Sequence, residues 1–332
     1  MTPRDVAVRA RASPIVNAVV RRALRATLRL SECLDLLARR WRVSGITTVG
    51  TQGASFRMLG HGDDPLLDEL YYRRDWESAE TRLFAALVAK AEVVLDLGAN
   101  TGIYSLLSTH LSRSVRVIAV EPSPANAERL RTNLRLNAER RVTTVEAAVG
   151  AGEGTVELTV PADGSLCDVA STVDVFSRAH YGIAYTRLPV ALTTVDRLVA
   201  DHGLERVDLI KLDVEYFELA VLRGAEQTLT RFEPAVIAEV LDYDVLTGDK
   251  AELRGQITAG NSDQVEALMT AHGYAFFAIG ERGLLRVHTL RGIPDGGSNY
   301  LFVKRPPDRR YIPYTDAAAL QTLIVRSPSD LC

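Results

Sequence analysis

The chain has 332 residues, 47% apolar and 24% charged, enough for one large α/β domain with an appendage. Its net charge of −3 argues against a nucleic-acid partner, for which a basic domain is expected. Cys33, Cys167 and Cys332 are odd in number and far apart, which points to neither a disulfide framework nor a thiolate zinc site and makes a reducing cytosol the default. The six histidines form no H-x-x-x-H pair, and no apolar run approaches the ~20 residues of a membrane span.

Charge is uneven along the chain. Residues 1–42 hold ten arginines against three acids, a local +7, so the other 290 residues carry −10. Val16, Val20, Leu24 and Leu28 recur at i, i+4, i+8 and i+12, one stripe of a helix. This arginine-rich helical arm suits an anionic membrane surface. The favoured alternative packs it on its own acidic domain or on a second subunit. Arginines break the apolar stretches every few residues, so a secretory signal is disfavoured.

Residues 43–74 read as a short hairpin and a linker, with Val43 to Val49 and Ala54 to Leu59 flanking Gly50-Thr51-Gln52-Gly53. Residues 75–90 read as a helix, with Trp76, Leu83, Phe84, Leu87 and Val88 at helical spacing. Glu92 to Leu97 is an apolar run without alternation, of the kind a parallel sheet covers on both faces. It runs into Asp96-Leu97-Gly98-Ala99-Asn100-Thr101-Gly102, a tight turn before a helix from about Ile103. Glycine permits the turn and lets a ligand approach without a Cβ in the way. The helix aims its N-terminal amides and dipole at that turn. Asp96 adds an acceptor for an amine.

The glycine spacing separates two cofactor classes. A dinucleotide loop reads G-x-G-x-x-G, whose second glycine admits a pyrophosphate. Here the pattern is D-x-G-x-x-x-G, which resembles the S-adenosylmethionine loop of class I methyltransferases. A nicotinamide-dependent oxidoreductase is the runner-up, and a non-catalytic cofactor-binding scaffold is a third reading. Ser114 to Val120 forms the next strand and ends at Glu121-Pro122. An acid there, about 20 residues past the loop, can hold both ribose hydroxyls. Ser123 and Pro124 open a helix to about Asn137.

Residues 161–186 lack a clear period and suit a lid or substrate wall, with Tyr181 and Tyr185 in it. Val207 to Leu212 is a second buried strand, ending at Asp213 and followed by a helix to about Leu229. Ligands of a doubly wound sheet bind outside the carboxyl ends of its strands, so Asp213 should face the same crevice as Asp96 and Glu121. Glu215 follows, and Glu239 ends the strand Ala235 to Val240, with Asp242 and Asp244 beyond.

Asp96-Leu-Gly-Ala-Asn-Thr-Gly102, Val120-Glu-Pro122, Thr193-Thr-Val-Asp196, Ile210-Lys-Leu-Asp-Val-Glu215 with Glu218, and Leu222-Arg-Gly-Ala225 together resemble the FkbM methyltransferase family. Ser298-Asn-Tyr-Leu-Phe-Val303 resembles its closing strand. The resemblance covers roughly residues 75–304 and leaves 305–332 as a tail. It implies a Rossmann-like class I sheet, mostly parallel and of the seven-strand type. It also implies S-adenosylmethionine-dependent O-methylation of a sugar, glycolipid or polyketide hydroxyl; the cysteine usage and the arm make the expected location the cytoplasm or a membrane periphery. The cofactor set is then Asp96, Gly98, Asn100, Thr101, Gly102, Glu121, Pro122 and Ala147. Tyr216 stands where that family usually has glycine, which puts a bulky ring at a helix entrance.

A hydroxyl is a poor nucleophile at neutral pH, so a base should help by ~10²–10⁴-fold. Asp213 is the first candidate and Glu215 the second. Asp213 could also cap the following helix. Lys211 shares a strand face with Asp213 and either lowers a hydroxyl's pKa or, the favoured reading, pairs with a carboxylate. Asp213, Glu215 and Glu239 could instead bind Mg²⁺, which takes oxygen ligands. His180, His272 and His288 read as surface or packing residues.

Overall fold

The computed structural model describes residues 19, 42–62, 64–72, 78–162, 185–240, 261–290 and 298–324. Apart from Val19 and Arg42, the arginine-rich arm lies outside the described residues, as do Trp76, His180, Asp242, Asp244 and most of the lid segment.

Chain order begins with a hairpin, β1 (Ser44–Thr51) and β2 (Ala54–His61), then α1 (Pro65–Tyr72) and α2 (Ser78–Val88). An alternating run follows: β3 (Val93–Leu97), α3 (Ile103–Leu111), β4 (Arg116–Val120), α4 (Pro124–Leu136) and β5 (Val142–Val145). The strands β6 (Ala148–Val149), β7 (Gly154–Pro161) and β8 (Tyr185–Thr193) form a small sheet in the order β6-β8-β7. The run resumes with α5 (Val195–Asp201), β9 (Leu209–Leu212), α6 (Glu218–Arg223), α7 (Glu226–Arg231), β10 (Ala235–Glu239) and α8 (Asn261–Ala271). It closes with β11 (Ala275–Gly280), β12 (Gly283–Val287), β13 (Asn299–Val303), β14 (Tyr311–Pro313) and α9 (Ala317–Gln321).

The large sheet has nine strands in the order β14-β12-β11-β13-β10-β9-β3-β4-β5. From β5 to β10 all pairings are parallel, with β3 between β4 and β9. From β10 to β14 all are antiparallel. The expected seven-strand Rossmann-like sheet is thus present, and β12 and β14 extend one edge. That edge includes Ile312, fully buried, so part of the sequence assigned to a tail completes the sheet.

Alternation along the strands makes two apolar layers. Val94, Val117, Leu209, Ile237 and Leu301 face α2, α3 and the hairpin, in one cluster with Leu83, Phe84, Leu87, Leu106, Phe56 and Met58. Leu95, Leu97, Ile118, Ile210, Leu212 and Val236 face α5 to α8, with Leu198, Leu222, Leu229 and Met269. This places the side chains of Asp96, Lys211, Asp213 and Glu239 by parity on the α2–α3 side.

Two local outcomes differ from the sequence reading, and one agrees with it. The hairpin strands run two residues further, so the turn is Gln52-Gly53 alone, with φ of +50° and +82°. Two positive φ values match the twist that a two-residue hairpin needs. The single helix expected after Asp213 is two short ones, α6 and α7. The Asp196 carboxylate accepts from the Gln227 and Thr228 amides at 3.0 and 2.8 Å, capping α7 from outside. Ser123 caps α4 as expected, with Pro124 in its first turn.

The hairpin is tied to the main sheet's helices. Asn133 on α4 accepts from the Leu59 amide at 2.9 Å and donates to the Thr101 carbonyl at 2.9 Å. One buried side chain thus satisfies a strand edge and the β3–α3 loop together. Asn133→Ala removes both bonds and leaves two polar backbone groups unpartnered, each costing about 1–3 kcal/mol. We expect a loss of about 2 kcal/mol or more in urea denaturation, and an unchanged midpoint would show that water replaces the asparagine at no cost.

Candidate active site

β3 ends in a turn whose backbone is set by packing against β9. Gly98 has φ of +82°, and a Cβ there would lie 1.8 Å from the Asp213 carbonyl oxygen. At Gly102, φ +94°, a Cβ would meet Leu130 at 2.4 Å. The glycines permit the turn, as expected, and Gly98 is in addition required by the protein's own packing. A valine at position 98 would break the β3–β9 joint itself. Asn100 adopts φ of +48°, a conformation asparagine tolerates better than most residues.

Glu121 is the strap of this turn. It is buried, not a solvated strand-end charge. One carboxylate oxygen accepts from the Asn100 amide and the other from the Ser123 amide, both at 2.9 Å. Burial raises its pKa to about 7 against those amide bonds. Asp96 is buried as well and accepts from the Ser105 hydroxyl of α3 at 2.6 Å. Burial raises its pKa to about 6, opposed by Ser105 and by the charge of Lys211. Asn100 Oδ1 and Thr101 Oγ1 are buried without a hydrogen-bond partner. Buried polar atoms in folded proteins are normally satisfied, so a polar ligand against this loop fits the pair. Pro122 follows Glu121 in the chain, and Ala147 packs in the apolar layer with Leu97 and Val120.

The second half of the site surrounds one ammonium group. Lys211 pairs with Asp96 in the β3–β9 register and is 1% exposed. Its Nζ lies 3.0 Å from Asp213 Oδ2, 3.2 Å from Glu80 Oε1 and 5.0 Å from the Tyr104 ring centre. Tyr104 donates its hydroxyl to the same Glu80 oxygen. Glu239 accepts from the Ser298 hydroxyl at 2.7 Å. Burial raises its pKa, with Asp213 and Glu80 adding to the rise and Lys211 opposing it. A buried ammonium and carboxylate persist only when paired.

Asp213 does not cap the next helix, which begins at Glu218 with Phe217 as its cap residue. Its side chain is 30% exposed, the most open group of the cluster's paired acids. Glu215 and Tyr216 have φ of +49° and +71°. A left-handed tyrosine is costly, and its ring is buried at 8% exposure. Burial and the charges of Glu215, Glu239 and Glu218 push its hydroxyl pKa up. Glu218 accepts from the Tyr216 amide at 2.8 Å and from Asn261 at 3.3 Å, and burial raises its pKa to about 7.

The structure thus brings Asp96, Gly98, Asn100, Glu121, Lys211 and Asp213 to one end of the sheet. It does not assemble the metal alternative: among the described residues no three Asp, Glu, His or Cys side chains converge as ligands. His272 lies elsewhere, 3.3 Å from Thr230 in an exposed contact. Sequence reading missed Glu80, Tyr104 and Ser105. A signal for Glu80 existed, since it shares the stripe of α2 with Leu83, Phe84 and Leu87, and an acid on a buried stripe calls for a buried cation.

Residues 96–276, a little over half of the chain, match the family model described as the methyltransferase FkbM domain. The AMB antimetabolite synthetase AmbE of Pseudomonas aeruginosa is 29% identical over 209 residues, which cover 55% of this chain and 9% of that protein. The 31-O-demethyl-FK506 methyltransferase FkbM of Streptomyces tacrolimicus is 29% identical over 209 residues, 56% of this chain and 74% of that one. The 2-O-methyltransferase NoeI of Sinorhizobium fredii is 26% identical over 175 residues, 50% of this chain and 71% of that one. The chain spans under a tenth of AmbE and about seven-tenths of the other two.

Burial raises Glu121 from 4.5 to about 7, so the folded protein keeps a proton there that the unfolded chain has already lost. The stability this proton contributes is complete below about pH 4.5 and is lost as pH rises through about 7. Glu121→Gln stays neutral throughout. Its melting midpoint relative to wild type should therefore rise between pH 5 and pH 8. A difference that is flat or falls over that range would show that Glu121 ionises at an ordinary pH.

Proposed function

The chain belongs to the FkbM methyltransferase family, and from that premise we propose that it is an S-adenosylmethionine-dependent O-methyltransferase. We propose as acceptor a hydroxyl of a sugar, glycolipid or polyketide-type natural product. The observation that carries the cofactor assignment is Glu121, a buried carboxylate bonded to the loop amide of Asn100 at the end of the second strand. Asp96, Gly98, Asn100, Thr101, Gly102, Glu121, Pro122 and Ala147 would hold the cofactor. Glu121 suits ribose hydroxyls, Asp96 suits an amine, and the unpartnered oxygens of Asn100 and Thr101 suit further donors. The bound cofactor supplies a methyl group already activated by its sulfonium.

The protein's own task is to align the acceptor hydroxyl, exclude water and remove a proton. Asp213 is the proposed base, because it is the partly open acid at the crevice and Lys211 holds one of its oxygens. Glu215 is the second candidate. Lys211, within reach of Asp213, orients it. Two of the relatives are named for methylation at oxygen, which supports the choice of a hydroxyl acceptor. Family membership sets aside the nicotinamide-dependent and non-catalytic readings. We carry no Mg²⁺ in the reaction.

We place the enzyme in the cytoplasm, with residues 1–42 docking it on an anionic bilayer or a second subunit. Among the described residues no helix is long and apolar enough to cross a membrane. Protein beginning at Val43 should then lose vesicle sedimentation or dimer scattering while still binding cofactor. Loss of cofactor binding on that truncation would make the arm part of the catalytic fold.

Screening transfer of labelled methyl from the cofactor into lipid, glycan and small-molecule extracts identifies the acceptor. Glu121→Ala should weaken S-adenosylhomocysteine binding in calorimetry by ~10-fold or more, as expected when charge-assisted hydrogen bonds are lost. Asp213→Asn should keep that affinity while turnover falls by ~10²-fold or more. Unchanged affinity in the first variant removes the cofactor assignment, and near-wild-type turnover in the second passes the base role to Glu215.

A further inference from the structure

We infer that Glu80 is the positioning residue of this active site: it tethers the Lys211 ammonium so that Lys211 holds Asp213 by Oδ2 and presents Oδ1 to the acceptor hydroxyl. This rests on the methyltransferase reading above. Glu80 lies on α2, upstream of the stretch 96–276 that matches the family model. It is 2% exposed, on the apolar stripe that packs against the sheet. Its Oε1 takes two donors, the Tyr104 hydroxyl and Lys211 Nζ at 3.2 Å. Tyr104 also sets its ring beneath the ammonium.

The geometry divides the two acids by depth. Glu80 is sealed between α2, α3 and the sheet, whereas Asp213 is 30% exposed at the strand end. A lysine held only by Asp213 could rotate to straddle both carboxylate oxygens, which would block the side a substrate needs. With Glu80 behind it, the ammonium is anchored on the inner side, and Asp213 is gripped by Oδ2 at 3.0 Å. Glu80 touches neither the loop after β3 nor Glu121 in any hydrogen bond or ion pair among the described residues, so its effect should fall on turnover and not on cofactor affinity.

The test uses the full-length enzyme, S-adenosylhomocysteine for calorimetry, and labelled methyl transfer to the acceptor found in the extract screen. Glu80→Gln keeps the shape and removes the charge. It should lower kcat by ~10- to 100-fold, as small misplacements of reacting groups do, with KM and S-adenosylhomocysteine affinity within about twofold of wild type. Lys211→Met combined with Glu80→Gln should cost no more in kcat than Lys211→Met alone, because Glu80 acts through Lys211. The chain has only four lysines, Lys90, Lys211, Lys250 and Lys304. Lysine-labelled NMR can therefore assign Lys211 by its loss in Lys211→Met, and its side-chain signal should shift in Glu80→Gln. Wild-type kcat in Glu80→Gln, or losses that multiply in the double variant, would overturn the inference. Wild-type enzyme that binds no S-adenosylhomocysteine and transfers no methyl group would instead overturn the methyltransferase reading beneath it. If Glu80→Gln does not fold, Glu80→Met/Lys211→Met leaves no unpaired charge among these two and is compared with Lys211→Met alone: equal kcat with affinity kept supports action through Lys211, and a further loss in the double variant rejects it.

Discussion

A lysine ammonium in the middle of a parallel sheet must be neutralised by the protein, because water cannot reach it. Lys211 is 1% exposed on β9, a strand flanked by β3 and β10. Leaving such a charge unpaired costs several kcal/mol, so its partners are held as firmly as any core contact. Glu80 comes from α2, Tyr104 from α3 and Asp213 from the strand's own end. The one ammonium therefore fixes two helices against the sheet and orients an acid at the crevice. The apolar layer beneath, with Leu83, Phe84 and Leu87 of α2 and Leu106 and Leu107 of α3, supplies most of the packing but no such direction.

The other half of the crevice depends on a second constraint, the close approach of β3 and β9 where they end. The Asp213 amide donates to the Leu97 carbonyl at 2.9 Å, and the Asp213 carbonyl occupies the space a Cβ at Gly98 would need. Glu121 then links the turn to the end of β4 through the Asn100 amide. The groups that shape the backbone here are the groups assigned to the ligand. Buried carboxylates with pKa values raised by desolvation, Asp96 and Glu121 among them, are what such a tight junction produces.

Several sequence motifs turn out to do structural work. Asp196, part of the Thr-Thr-Val-Asp run, caps α7 across the fold and explains why the helix after Asp213 is broken in two. Asp208 accepts from the Glu92 and Val93 amides at 2.8 and 2.9 Å and is paired with Arg206, which pins the start of β3 to β9. The hairpin before the main sheet joins the same core as α3 through Phe56 and Met58. Tyr216 keeps a left-handed backbone that glycine would hold without strain.

The sequence by itself determined the parallel strands and their acidic ends. Largely apolar runs without alternation stop at Leu97, Val120 and Leu212, as strands covered on both faces should. The D-x-G-x-x-x-G turn and the cap at Ser123 are local chemistry, legible because each needs only neighbours a few residues away. What only the tertiary structure decided is which distant groups meet. Glu80 and Lys211 are 131 positions apart and touch at 3.2 Å because sheet order and strand parity bring α2 over β9. The edge strand β14 was equally hidden, since a three-residue strand has no period to read and forms only where an open edge offers it backbone partners.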